Sequence, residues 1–254
     1  MLSGRCRSPC LVATLPAITG MSTEHTHQPG ICHATRIVGF WSAVLATLFS
    51  VVYIVGQLAE WGGWLGSAGG PESMSTPLGI VVLLTPSLFL GSAFLLLMLS
   101  VHEATPPERR IWSHAAVAFA TVYTVLISLN YFVQLAWVGP RLSAGRPQGL
   151  EPFLFVPFDS FLYAVDILGY SFMSVATLFA AFAIRGGGMA RVARWFLVAN
   201  GLLLPFLALQ MYVHWLIWFA ALWAVTFPGA TCSLAVLFRR MPVTSLSPPA
   251  ADSC

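Results

Sequence analysis

From residue 36 to residue 238 the chain alternates long apolar runs with short polar breaks. An α-helix rises about 1.5 Å per residue, so about twenty predominantly apolar residues cross the hydrocarbon core of a bilayer. Runs at 36–59, 78–101, 111–138 and 160–184 reach that length. Their ends carry chain-breaking residues: the glycine-rich segment 62–70, the pair Gly139 and Pro140, and the triplet Gly186, Gly187 and Gly188. Between Trp195 and Phe238 no charged residue occurs, and forty-four residues are too many for one span. They read as two helices, 195–211 and 215–238, joined by a tight turn near 210–215. The pattern predicts an all-α polytopic membrane protein. Six transmembrane helices form a bundle over 36–238, with a disordered tail at 1–35 and a second tail at 239–254.

Composition narrows the chemistry. Only 8% of the residues are charged and 57% are hydrophobic, whereas a soluble domain carries about a quarter charged residues. All twelve basic residues are arginine. Without lysine the chain has no Schiff-base amine and no phosphate-loop lysine. The arginines are scattered between apolar runs, so nucleic acid is not an expected partner; the lipid bilayer is. Protein partners are not specified by any motif. The cysteines Cys6, Cys10, Cys32, Cys232 and Cys254 form no C-x-x-C pair, and Cys232 reads as a small packing residue. In the N-terminal tail, 11–20 is too short and too interrupted by Pro16 for a signal peptide or a span. Met21 offers a second start. His25, His27, Cys32 and His33 are metal-capable side chains in a tail, a pattern too loose to assign a metal.

The arginines also orient the chain. Arg5, Arg7, Arg36, Arg109, Arg110, Arg185, Arg191, Arg194, Arg239 and Arg240 fall on one side of the predicted bundle, and only Arg141 and Arg146 on the other. By the positive-inside rule both termini are expected in the cytoplasm. An arginine-only basic set and outer loops without glycosylation sites fit a bacterial inner (plasma) membrane. Trp61, Trp64, Trp112, Trp137, Trp195 and Trp215 sit at run ends, as interfacial tryptophans do.

Within this frame the polar intramembrane residues collect toward the outer leaflet. Asp166 is the one carboxylate set deep in a run, about six residues or roughly 9 Å from the outer end of the fourth helix. A carboxylate in lipid demands a partner or a purpose. Tyr163 and Tyr170 share its helical face. On the third helix Tyr123, Asn130, Gln134 and Trp137 form one stripe, with Asn130 at a depth close to that of Asp166. On the first, Tyr53, Gln57 and Glu60 share a face that approaches the outer surface; Glu60, at the run's end, reads first as a solvated interfacial side chain. His214 lies near the outer turn. Asn200 stands nearly alone in the inner half.

Two readings of this constellation stay open. In one, Tyr53, Gln57, Glu60, Asn130, Gln134, Tyr163, Asp166 and Tyr170 line an outward-facing pocket for a small polar ligand, as in a binding or transport-related protein. In the other, the protein is a non-catalytic subunit or scaffold, and Asn130 and Gln134 satisfy Asp166 and join two helices. The apolar loop 151–158 either covers the pocket as a lid or rests its phenylalanines on the membrane surface. Its neighbours Arg141 and Arg146 are candidates to pair with Glu60, Asp166 or an anion. His102 and His114 flank an inner loop, but their spacing does not enforce metal or haem ligation. No cofactor is indicated. Serine-hydrolase, zincin and phosphate-loop motifs are missing, so an enzyme is the least supported class.

Overall fold

The computed structural model describes residues 31–156 and 158–243. The expectations for the tails, including Met21, His25 and His27, lie outside the described residues. Among the described residues six helices are long and apolar enough to cross a membrane: α1 His33–Trp61, α2 Pro77–Glu103, α3 Pro107–Ser143, α4 Phe161–Ala183, α5 Met189–Leu209 and α6 His214–Arg240. Among the described residues there is no strand, only an isolated bridge between Ile31 and Val243. The chain is an all-α, multi-pass membrane protein. Its outer surface agrees: Leu48, Val55, Leu58, Val125, Leu129, Phe132 and Val225 are large apolar side chains exposed on the bundle. Patches of that extent are unusual on soluble monomers. Cys232, expected to pack inside, is exposed on this surface as well.

The helices form a closed ring. Each packs on its sequence neighbours from α1 to α6, and α6 returns to pack on α1. Close approach at the closing seam depends on small residues. A Cβ on Gly39 of α1 would stand 2.7 Å from the Phe238 ring of α6, and Thr47 Oγ1 donates to Thr231 Oγ1 at 2.7 Å. Inside the ring, aromatic side chains from five helices interlock, all but one pair edge to face. Tyr53 and Tyr170 both meet the Trp223 ring, Tyr123 meets Tyr170 and Phe94, and Phe94 meets Phe227. Such pairs add about 0.5–1.5 kcal/mol each beyond the area they bury. Phe94, Tyr123 and Phe227 of this plug are fully buried inside the bundle, which has two mouths. One mouth holds both described chain ends, where the Ile31 amide donates to the Pro242 carbonyl at 3.1 Å. The other is covered by the α1–α2 and α3–α4 connections.

Several element boundaries have a local cause. Thr76 caps α2, accepting from the Gly79 amide at 3.1 Å, and Pro77 follows at a position where its missing N–H breaks no helical bond. Ser160 caps α4 through the Tyr163 amide. The third helix does not end at Gly139 and Pro140, as the sequence suggests. A π-helical turn at Gln134–Val138 shifts the hydrogen-bond register, and Gly139–Ser143 continues the helix. Pro140 then starts a turn in which no donor is required of it. Conversely, α5 loosens at Leu202 and Leu203, and α6 at Ala221 and Leu222.

Candidate functional site

At the loop-covered mouth the sequence-predicted constellation divides into two groups. The first surrounds Asp166. Its carboxylate accepts from Asn130 Nδ2 at 3.2 Å, and the same amide nitrogen also donates to the Leu162 carbonyl at 3.2 Å. The Tyr131 hydroxyl lies 3.2 Å from the Tyr170 hydroxyl. Tyr163 donates to Gln210 Oε1 at 3.1 Å. Tyr170 meets the Tyr123 ring, and Tyr53 and Tyr170 share the Trp223 ring, so five of the chain's six tyrosines sit in or beside this group. The group is buried and packed: Asn130, Asp166, Tyr163 and Tyr170 do not line the cavity described next. Two of its polar atoms, Asn130 Oδ1 and the Tyr123 hydroxyl, have no partner among the described residues.

The second group lines a cavity of about 70 Å³ between α1, α2, α3 and the α3–α4 loop. Tyr53, Gln57, Glu60 and Gln134 supply its polar wall, and Trp61, Leu154, Phe155 and Phe158 much of its apolar wall. Tyr53 donates weakly to Gln57 Oε1 at 3.4 Å, one helical turn away. Gln134 does not reach Asp166. Its amide nitrogen donates instead to the Phe153 carbonyl and ties the loop to α3.

Glu60 is the correction that matters most. Position at a run's end reads as an interfacial, solvated carboxylate, yet its residue is 2% exposed and neither carboxylate oxygen has a hydrogen-bond partner among the described residues. The burial arises from the glycine-rich turn that follows. Ser67 Oγ donates to the Glu60 carbonyl at 2.9 Å, and Thr76 Oγ1 donates to the Leu65 carbonyl at 2.7 Å. These bonds fold the turn back over the helix end. On the α2 side the carboxylate lies against Gly79, where a Cβ would stand 2.5 Å from Oε2. Gly79 is in the first turn of α2, so the helix's positive end favours an anion there by at most about 2 kcal/mol. Desolvating a carboxylate costs several kcal/mol. The helix end therefore does not offset the burial by itself.

The loop covers the cavity. Leu150 is fully buried; Phe155 and Phe158 pack on the Tyr163 ring at 6.0 and 5.1 Å. Phe158 is the only non-glycine among the described residues with positive φ, at 67°. A bulky side chain there costs about 1–2 kcal/mol and persists only where packing holds it. Neither arginine of this region reaches Glu60 or Asp166. The Arg141 guanidinium lies 4.4 Å over the Trp137 ring, which in turn meets Phe153 edge-on, and Arg146 is exposed. Stacked on an indole, Arg141 keeps its water, which a buried pair would strip away. His214 also stays outside the cavity wall, 3.9 Å from the Glu72 carboxylate.

At the opposite mouth, Glu103, Arg110 and Arg185 border an open vestibule of about 700 Å³. Beside it, His102 and His114 lie 4.2 Å apart between ring centroids, tilted by 36°, and His102 Nδ1 lies 2.8 Å from Ser113 Oγ. Centroids this close leave no room for a haem plane between the rings. Between the mouths, Asn200 donates to Thr177 Oγ1 at 3.1 Å and accepts from Thr226 Oγ1 at 3.0 Å, joining α4, α5 and α6.

Sequence reasoning passed over Trp223, Tyr131 and Gln210. The signal for Trp223 was its place inside an apolar run, away from the ends where interfacial tryptophans belong. Tyr131 follows Asn130 by 100° on the helix and falls off the polar stripe. Gln210 was read only as a turn residue, whereas it is buried beneath the turn. No protein-family model, curated protein or solved structure matches the chain.

Proposed function

We propose that this membrane protein binds a small polar molecule in the Glu60 cavity, and that binding there serves passage along the ring's axis. The observation that carries the reading is Glu60, a buried carboxylate with both oxygens unpartnered at the wall of a cavity. Buried polar groups are almost always satisfied, so such a residue points to a ligand. The axial arrangement supports transport: a covered cavity at one mouth, an open vestibule at the other, and an aromatic plug between them. The arginine distribution supports a covered mouth on the outer side and chain ends in the cytoplasm.

A cavity-filling variant tests the binding reading. Ser73→Trp places an indole at the cavity wall. A library of small polar compounds is screened for thermal stabilisation of the purified chain in nanodiscs. Compounds that stabilise the parent and fail on Ser73→Trp support the reading; a library that never separates the two proteins refutes it. Orientation is tested separately, by labelling Gln148→Cys and Cys32 with a membrane-impermeant maleimide in intact cells. Gln148→Cys is expected to react, and Cys32 only after lysis.

One observation favours the scaffold reading for part of the constellation. The Asn130–Asp166 contact is packed and apart from the cavity, as a bond that holds α3 to α4 would be. Asp166 is therefore assigned to joining helices, and Glu60 to ligand.

A further inference from the structure

We infer that the molecule taken by the Glu60 cavity is a small organic ammonium ion, a protonated amine with at least one N–H and a short alkyl body. The inference rests on the pocket reading above and adds the ligand's chemical class. Its first support is the polarity of the wall. Glu60 offers two acceptor oxygens without partners. Gln134 Oε1 and Gln57 Oε1, the latter taking only a long 3.4 Å bond from Tyr53, add neutral acceptors. Gln57 Nε2, the second Gln134 N–H and the Ser73 and Ser75 hydroxyls can donate, so the wall is mixed in hydrogen-bonding character and Glu60 is its one carboxylate among the described residues. A complementary ligand therefore brings positive charge with its donors.

The second support is that, among the described residues, no basic side chain lines the cavity. Arg141 lies on Trp137, and His214 lies beside Glu72. Among these residues Glu60 has no cationic partner, and a cationic ligand would supply one.

The third is the apolar wall. Tyr53, Trp61, Phe155 and Phe158 present aromatic surface to the same space. Aromatic faces attract ammonium groups and accommodate alkyl carbons. They supply few of the oxygen ligands that a metal ion needs: calcium takes six to eight, and one carboxylate with two amide oxygens falls short. Size sets the last limit. On the measure in which a single water needs about 10–15 Å³, a cavity of about 70 Å³ holds a molecule of a few heavy atoms.

The test uses the purified full chain in nanodiscs, with n-propylammonium chloride, 1-propanol and sodium chloride as probes at matched ionic strength. Melting temperature is followed against concentration for the parent, Glu60→Gln and Ser73→Trp. The expected result is a saturable rise with propylammonium in the parent. Glu60→Gln should need at least tenfold more of it, Ser73→Trp should show none, and neither propanol nor sodium chloride should give a saturable rise. If propanol matches propylammonium in the parent and both fail on Ser73→Trp, the pocket stands and the ammonium assignment is overturned. Saturable stabilisation by sodium chloride alone overturns it in favour of an inorganic cation. If no probe separates the parent from Ser73→Trp, the ammonium assignment falls, and the pocket reading falls with it only if the wider library is equally blind. Should Glu60→Gln fail to fold, the propylammonium and propanol comparison in the parent and in Ser73→Trp decides alone.

Discussion

Asn130 on α3 donates to the Asp166 carboxylate on α4 at 3.2 Å, and both side chains are buried at the seam between these helices. Removing Asn130 takes a hydrogen bond from the buried carboxylate. Asn130→Leu is expected to destabilise the protein by about 1.5–3 kcal/mol, the range for losing a hydrogen bond to such a group. The double variant Asn130→Leu with Asp166→Leu should recover most of that loss, because two apolar groups of similar shape leave nothing unpaired. Denaturant titration of the three proteins in the same detergent reads the difference. Equal losses in the single and double variants would show that the pair does not act as a unit.

Gly79 and Glu60 are coupled by contact. Alanine is the better helix former, yet Gly79→Ala is expected to destabilise by about 1–3 kcal/mol, because its methyl meets the carboxylate. In a Glu60→Ala background the same change should be neutral or mildly stabilising. The double-mutant cycle should return a coupling of at least about 1 kcal/mol; additivity would mean that the carboxylate moves aside freely.

Gln134 holds the loop over the cavity through the Phe153 carbonyl. Gln134→Leu removes that bond at about 1 kcal/mol, equivalent to roughly fivefold in the population of the open loop. Hydrogen exchange should accelerate by about that factor across 150–156 and stay unchanged in α2. Unchanged protection of the loop would place its anchor elsewhere, in the aromatic packing of Phe155 and Phe158.

Asn200 joins three helices through Thr177 and Thr226. Asn200→Leu should lower stability by about 1–2 kcal/mol, since interhelical polar contacts in membranes average about 0.6 each and two are lost. Thr121→Val is the control: its hydroxyl bonds only within its own helix, to the Val117 carbonyl, at an exposed position. A thermal melt should separate the two variants by several degrees.

The spans were legible in the sequence because length and apolarity alone decide whether a helix crosses a bilayer. The pairing of Asn130 with Asp166 was legible for a similar reason: rise per residue gives depth, and depth brought the two to one level. Depth does not give direction around the bundle axis. Eight residues at similar depth therefore read as one pocket, while ring packing turns Asp166 toward α3 and Glu60 toward α2. Glu60 itself was misread because solvation at a run's end depends on what the next segment does. Here Ser67 and Thr76 fold the glycine-rich turn over it, through bonds that no periodicity reveals. The arginine contacts failed in the same way. Proximity in sequence put Arg141 near the carboxylates, but the extra turn of α3 beyond Gly139 carried it onto Trp137.

Because α6 closes the ring against α1, the order of synthesis matters to the chain. The α1 surface around Gly39 and Thr47 has no helix to pack against until the last span has been made. Through the insertion of four further helices that groove must wait in lipid, open to any other small-residue helix in the membrane. Truncation anywhere before Trp223 would leave it permanently uncovered. The same closure brings residues 31 and 243 together, so a circular permutant joined there and opened in the α4–α5 connection should keep every helix beside its present neighbours. In that permutant α1 and α6 would be made consecutively, and the exposed groove would exist only briefly.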